Sequence, residues 1–127
     1  MQILPMSKKI YLSIPYTYNP EESFEVANKC TALLMKLGNV VFSPISHGHA
    51  VAPYLAPHEA HSHSFWMKQD LPMIEFCDEM VVIYIGENGR KLVEESKGCK
   101  EEVHHARKLN KPIRIMKFEH NKLQEHD

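Results

Sequence analysis

Long apolar runs are missing from this chain: none approaches the ~20 residues a membrane-spanning helix needs, so no such span is expected. An excess of either charge is missing too. Fifteen Lys and Arg against sixteen Asp and Glu leave a formal net charge of -1, so no overall field draws the chain to nucleic acid or an anionic membrane. Cysteine is scarce. Cys30, Cys77 and Cys99 share no short paired spacing, which argues against a disulfide framework and for free thiols in a reducing compartment. The segment MQILPMSKK lacks an apolar stretch followed by a small-residue cleavage site, so no secretory signal is expected and the cytoplasm is the expected location. No phosphate loop and no complete G-x-G-x-x-G occur, which removes the motifs that hold ATP or dinucleotides.

What is present is an ordinary balance for a folded domain, 43% hydrophobic and 24% charged residues over a length of 127. That length supports one core and not two. A single domain over residues 8–118 is expected, with flexible termini at 1–7 and 119–127. The unusual feature is nine histidines, His47, His49, His58, His61 and His63 falling close together.

KKIYLSIP is a short apolar run stopped by a proline and reads as a buried strand. NPEES then reads as a helix start, with Asn19 as N-cap, Pro20 in the first helical position and Glu21 and Glu22 in the first turn. Val26, Cys30, Leu33 and Leu37 give that helix one apolar face, and Gly38 closes it. NVVFSP is a second strand. Residues 45–64 have no clean period and predict a long functional loop. FWMKQDLPMIEFCD resumes helical spacing, with a kink or fresh start expected at Pro72. EMVVIYIG is a third strand, apolar enough to be covered on both faces. A polar loop, ENGRKLVEE, leads to a helix from Ser96 whose core stripe is Val103, Ala106 and Leu109; KPIRIMKF is the last strand, before a polar tail.

This alternation predicts an α/β domain: one doubly wound, mainly parallel, flavodoxin-like sheet of four to five strands with helices on both faces. In such sheets ligands bind beyond the carboxyl ends of the strands, where the strand order reverses. SIPY, SPISHGH, IGENGR and the Ser96–Gly98 helix start all fall on that edge.

Among the carboxylates, Glu102 lies four residues before Ala106, on the side of a small core residue. It reads equally as a site residue or as a glutamate favoured by the helix dipole. Glu101 is turned ~100° away, toward solvent. Asp70 sits in a helix beside bulky apolar residues and needs a partner there; Asp78, just before a strand, reads as a structural cap. The histidine spacings match no strong zinc signature, so no metal is expected. His47 and His49 are placed at the mouth of the site as hydrogen-bond donors, the later three in a solvated loop, and His104 and His105 on an exposed or flanking helix face. Trp66 and Tyr54 read as packing residues.

Taken together, YLSIPY, VVFSPISHGH, FWMKQDLPMIEFCDEMVVI and ESKGCKEEVHHARKLNKPI make the chain resemble the nucleoside 2-deoxyribosyltransferase superfamily, closest to a branch of small uncharacterised domains. The likeness spans Lys9 to Ile113. It implies a helix-borne glutamate that attacks the anomeric carbon of a nucleoside, at the position of Glu102, oriented by Tyr11 of the first strand, with Asp70 matching an acidic residue that protonates the base or contacts the sugar. Where transferases of free nucleosides carry an aspartate six residues before the nucleophile, this chain has Ser96, as in the branch of deoxynucleoside 5′-monophosphate N-glycosidases. Ser96, Lys97 and Gly98 suit a phosphate at a helix N-terminus. Pro15 and Thr17 stand where that branch has a serine and an arginine, so Ser13, Pro15, His47 and His49 complete the expected substrate-binding set. The resemblance implies N-glycosidic cleavage or transfer of a small-molecule nucleoside or nucleotide, no cofactor, and a homo-oligomer. The alternatives are a non-catalytic nucleotide-binding module using the same cleft and, below it, a metal-dependent hydrolase built on the histidine-rich loop.

Overall fold

A computed structural model describes residues 7–126. Five strands, β1 (Lys9–Ser13), β2 (Val40–Phe42), β3 (Glu79–Ile85), β4 (Ile113–Glu119) and β5 (Lys122–Glu125), form one sheet in the order β2-β1-β3-β4-β5. All neighbours pair in parallel except β4 with β5. The expected α/β architecture is therefore the observed one.

Side-chain alternation divides the core. Ile10, Leu12 and Ile14, with Val81, Ile83 and Ile85, pack against Val26, Ala27, Cys30 and Leu34 of α1 (Pro20–Lys36). Tyr11, Met80 and Val82 point the other way, onto Ile74 of α4 (His63–Phe76) and Ala106 of α6 (Lys97–Lys108). Burying each such aliphatic side chain contributes roughly 1.5–3 kcal/mol, which is why the faces of β1 and β3 read as continuous apolar runs. The helix caps are as the sequence implies: Asn19 accepts from Glu22 N–H at 3.2 Å, and Gly38 follows α1 at φ 97°. Asp78 is a structural cap, its carboxylate accepting from Lys9 N–H at 2.8 Å.

Residues 45–64 are not a loop. Pro44 opens α2 (Pro44–Val51), a 3₁₀ turn covers Ala52–Tyr54, and Pro57 opens α3 (Pro57–Ala60). Each piece is too short to display a helical period, and the prolines that read as breakers sit at helix starts, where a missing N–H costs nothing. ENGRKLVEE likewise contains α5 (Gly89–Glu95), packed on β3 and carrying an Arg90–Glu94 pair at 3.1 Å. α4 runs unbroken through Pro72, whose ring is exposed. The tail expected to be flexible from 119 instead turns through His120 (φ 55°) and Asn121 (φ 60°) and returns as β5, with Glu119 opposite Lys122. Two consecutive left-handed residues are the geometry of a tight hairpin that matches strand twist. Of the other terminal segment, residues 1–6 lie outside the described residues.

Two details of the frame carry weight. Glu79 is 3% exposed and is neutralised by Lys8 at 3.2 Å and Arg114 at 3.0 Å, a buried carboxylate with a structural explanation. Gly89 is a close approach: a Cβ there would lie 2.6 Å from the backbone carbon and Cβ of Tyr84. Gly89→Ala is accordingly expected to destabilise the fold by ~1–3 kcal/mol, measured as a lowered urea midpoint with unchanged slope.

Candidate active site

The crossover from β1 to β2 runs through α1 on one face of the sheet, and that from β3 to β4 through α5 and α6 on the other. The strand order thus reverses between β1 and β3, and the crevice this opens is where the candidate residues converge.

β1 supplies two of them. Tyr11 and Ser13 are two residues apart, so both face α6, and both are fully buried. Tyr11 Oη donates to Glu102 Oε2 at 2.5 Å and Ser13 Oγ donates to Glu102 Oε1 at 2.7 Å. α6 supplies the acceptor: Glu102 lies in its second turn, 5% exposed, on the same face as Cys99 and Ala106. α4 brings Asp70, 8% exposed, close enough for its charge to act on both Tyr11 and Glu102. The sequence-based trio of Glu102, Tyr11 and Asp70 is brought together.

Electrostatics separates this carboxylate from Glu79. What holds Glu102 is neutral, and the neighbouring charges of Asp70 and Glu101 have its own sign. Burial pushes Glu102 up to about 7, opposed by the hydrogen bonds from Tyr11 and Ser13. Burial pushes Asp70 up to about 6. The Tyr11 phenol is held far above its ordinary range by burial, then by Glu102 and Asp70, so it stays a proton donor. Cys99, 1% exposed, is pushed up to about 12 by burial and Glu102 and is an inert thiol. A buried carboxyl pair without cations, at the carboxyl edge of the sheet, is an arrangement that costs stability and is characteristic of reacting groups.

The remaining expected residues divide. Ser96 caps α6, its hydroxyl accepting from Cys99 N–H at 3.1 Å. With Pro15, Thr17, Tyr18, Leu92 and Glu95 it lines a cleft of about 200 Å³ between the β1–α1 turn and the end of α5. Pro15 is otherwise buried, its carbonyl accepting from Ser23 Oγ at 2.7 Å. Lys97 is exposed and Gly98 half-buried, and neither lines this cleft; nor does Glu102. A groove of about 720 Å³ follows α1 from Asn19 to Lys29 and includes none of the expected residues.

Of the histidines, His49 and His63 are placed differently from the expectation, while His58, His61 and His104 are exposed. His47 is exposed on α2. His49 is half-buried and occupied internally: Nδ1 meets Tyr16 Oη at 2.6 Å, Nε2 meets Glu21 at 3.2 Å, and the ring stacks on Phe24 at 4.3 Å. It ties the β1–α1 turn to α2 and is not a free donor at the mouth. His63, expected in a solvated loop, opens α4 and contacts Glu101 at 3.0 Å, while the Glu101 side chain keeps 44% of its surface exposed, on the solvent side as expected. Trp66 packs its ring against Gly48 and donates to the Ala60 carbonyl at 2.8 Å, while Tyr54 is 88% exposed. Among the described residues, no group of three or more His, Cys, Asp or Glu is arranged to hold a metal, and no helix is long and apolar enough to cross a membrane.

Ser13 as a partner of Glu102, and the Tyr16–His49–Glu21 contact, escaped the sequence reading. For Ser13 the signal was there, since alternation along β1 puts it on the face of Tyr11; for residues 33 positions apart no local signal exists.

Comparison with solved structures shows what the chain is similar to. A 2-deoxyribosyltransferase from the psychrotolerant bacterium Bacillus psychrosaccharolyticus, described as a biocatalyst for nucleoside synthesis, superposes with a TM-score of 0.59 at 26% identity, covering 86% of this chain and 72% of that one. A 2-desoxiribosyltransferase from Leishmania mexicana gives a TM-score of 0.59 at 19% identity, covering 88% of this chain, which spans only 65% of that protein's length. The latter is a likeness of fold alone. No curated protein matches. A family described as domain of unknown function DUF1937 matches residues 8–118, nearly the whole described fold, and the chain belongs to that family.

Proposed function

We propose that the chain cleaves or transfers the N-glycosidic bond of a nucleoside, with Glu102 as nucleophile. The observation that carries this reading is the uncompensated buried carboxylate, gripped by a hydroxyl on each oxygen beside a second carboxyl. In its ionised form Glu102 attacks the anomeric carbon as the bond to the base breaks. The bonding pair leaves with the base nitrogen, and the base takes a proton from the acid form of Asp70. The glycosyl-enzyme ester is then resolved by water in a hydrolase or by a second base in a transferase. The likeness to the Bacillus enzyme at 26% identity supports the reaction class.

The cleft favours a free nucleoside over its 5′-monophosphate. Its lining includes Thr17, Tyr18, Ser96 and Glu95 and neither Lys nor Arg. A carboxylate accepts hydrogen bonds from sugar hydroxyls and repels phosphate, whereas Lys97, the expected phosphate partner, stands outside the lining. Purified protein incubated with deoxynucleosides and their monophosphates is expected to release free base with kcat/KM at least ~10-fold higher for the nucleosides, a difference of ~1.4 kcal/mol. Preference for the monophosphates would transfer recognition to the α6 N-terminus.

A second reading follows from the same geometry. Glu102 does not line the cleft and is only 5% exposed, and a binding module that holds a nucleoside or nucleotide in the cleft without cleaving it fits that enclosure. Calorimetric binding of a nucleoside with no base released over hours favours that reading. The resemblance also implies assembly as a homo-oligomer, which sedimentation of the purified chain tests.

A further inference from the structure

We propose that Ser13 is a positioning residue for the Glu102 carboxylate, fixing its orientation and retaining its charge in the buried site instead of contacting substrate. Ser13 has no exposed surface and its hydroxyl is spent on Glu102 Oε1 at 2.7 Å, while Tyr11 occupies Oε2 at 2.5 Å. With one donor on each oxygen, the carboxylate plane is set by two points on the same rigid strand, two residues apart in β1, itself hydrogen-bonded on both sides by β2 and β3. A single donor leaves rotation about that contact free; two remove it, and this is what an attacking oxygen requires.

The second consequence is electrostatic. Burial, Asp70 and Glu101 oppose the ionised form of Glu102, and the hydrogen bonds from Tyr11 and Ser13 favour it. Removing Ser13's hydroxyl takes away one of these two side-chain donors and leaves burial and like-charge repulsion less opposed. The oxygen freed at Oε1 has no route to water, because Glu102 is almost fully enclosed. Cys99, packed beside Ser13 and Ser96, offers no ready substitute, since a thiol is a weak donor.

The grip on Glu102 stands on geometry, while its catalytic meaning rests on the proposed nucleophilic role, and the two are separable by experiment. Protein carrying ¹³C at the glutamate carboxyls is titrated by NMR, the Glu102 signal being the one lost in Glu102→Gln. Ser13→Ala is expected to raise the Glu102 midpoint by about one pH unit, a tenfold gain in proton affinity, and Ser13→Thr, which keeps the hydroxyl, to restore it. An unchanged midpoint in Ser13→Ala, or the same rise in both variants, would overturn the proposal. In the base-release assay Ser13→Ala is expected to lower kcat with KM held and to move the acid limb of the pH profile upward. If the wild type releases no base, the nucleophilic reading fails, and the titration still decides what Ser13 does.

Discussion

Glu102→Gln is expected to reduce base release by at least ~10³-fold while leaving the fold intact. Glutamine keeps the length of the side chain and fills the same space between β1 and α6, so no cavity opens. It cannot form the glycosyl ester, because an amide oxygen is a far weaker nucleophile and carries no charge to meet an oxocarbenium-like centre. Glutamine does disturb the grip, since its NH₂ faces one of the two hydroxyls and that hydroxyl must rotate to accept. The cost is about 1 kcal/mol, recovered in part because a neutral amide is easier to bury than a carboxylate. Circular dichroism and gel filtration matching the wild type, with residual base release below a thousandth, is the expected pair of results. Base release by Glu102→Gln equal to that of the wild type would remove the residue from the mechanism.

The second large effect concerns stability and runs opposite to ordinary acid denaturation. Glu102 is raised from its usual 4.5 to about 7 and Asp70 from 3.8 to about 6, both by burial. Well below pH 4 both groups are protonated whether the chain is folded or not, and neither costs anything. As pH rises the unfolded chain ionises first, while the folded chain holds its protons until about 6 and 7; it binds more protons across that window, so stability falls with rising pH. For Glu102 the full loss, reached above its folded pKa, is on the order of 3 kcal/mol, and because the two carboxyls feel each other, Asp70 does not simply add to it. Pairs such as Glu79 with Arg114 act in the opposite sense in acid, so the quantity to measure is the difference between wild type and Glu102→Gln at each pH. Urea unfolding from pH 4 to 8 is expected to show the variant gaining on the wild type by roughly that amount as pH rises. A difference that stays constant across the range would show that Glu102 is not held protonated by burial.

Much of this molecule was readable in its local sequence. β1, β2 and β3 announced themselves through apolar runs ended by proline or glycine, and α1 through Asn19, Pro20 and Gly38, because each signal acts over a few bonds. Glu102 was singled out by its four-residue step to Ala106, a property of helix geometry, while the likeness to a known superfamily supplied the role proposed for it and pointed to Tyr11 and Asp70 as its neighbours. Short elements were not readable. α2, α3 and α5 run eight, four and seven residues, too little for a period, and they exist because they pack on α1, α4 and β3. β5 failed for a related reason: KLQE carries one apolar residue, and only pairing with β4 gives its backbone a partner.

The sequence by itself determined the mainly parallel α/β architecture, the sheet edge that gathers the candidate residues and the helix that bears Glu102, because these follow from periodicities of two and 3.6 and from chain stops. Tertiary structure alone decided that Ser13 grips Glu102 across 89 residues, that His49 is spent on Tyr16 and Glu21, and that Glu79 is neutralised while Glu102 is not. Those outcomes depend on which strands become neighbours and which helix face is pressed against them. Such contacts join residues far apart in the chain, and burial, not sequence spacing, sets their energies.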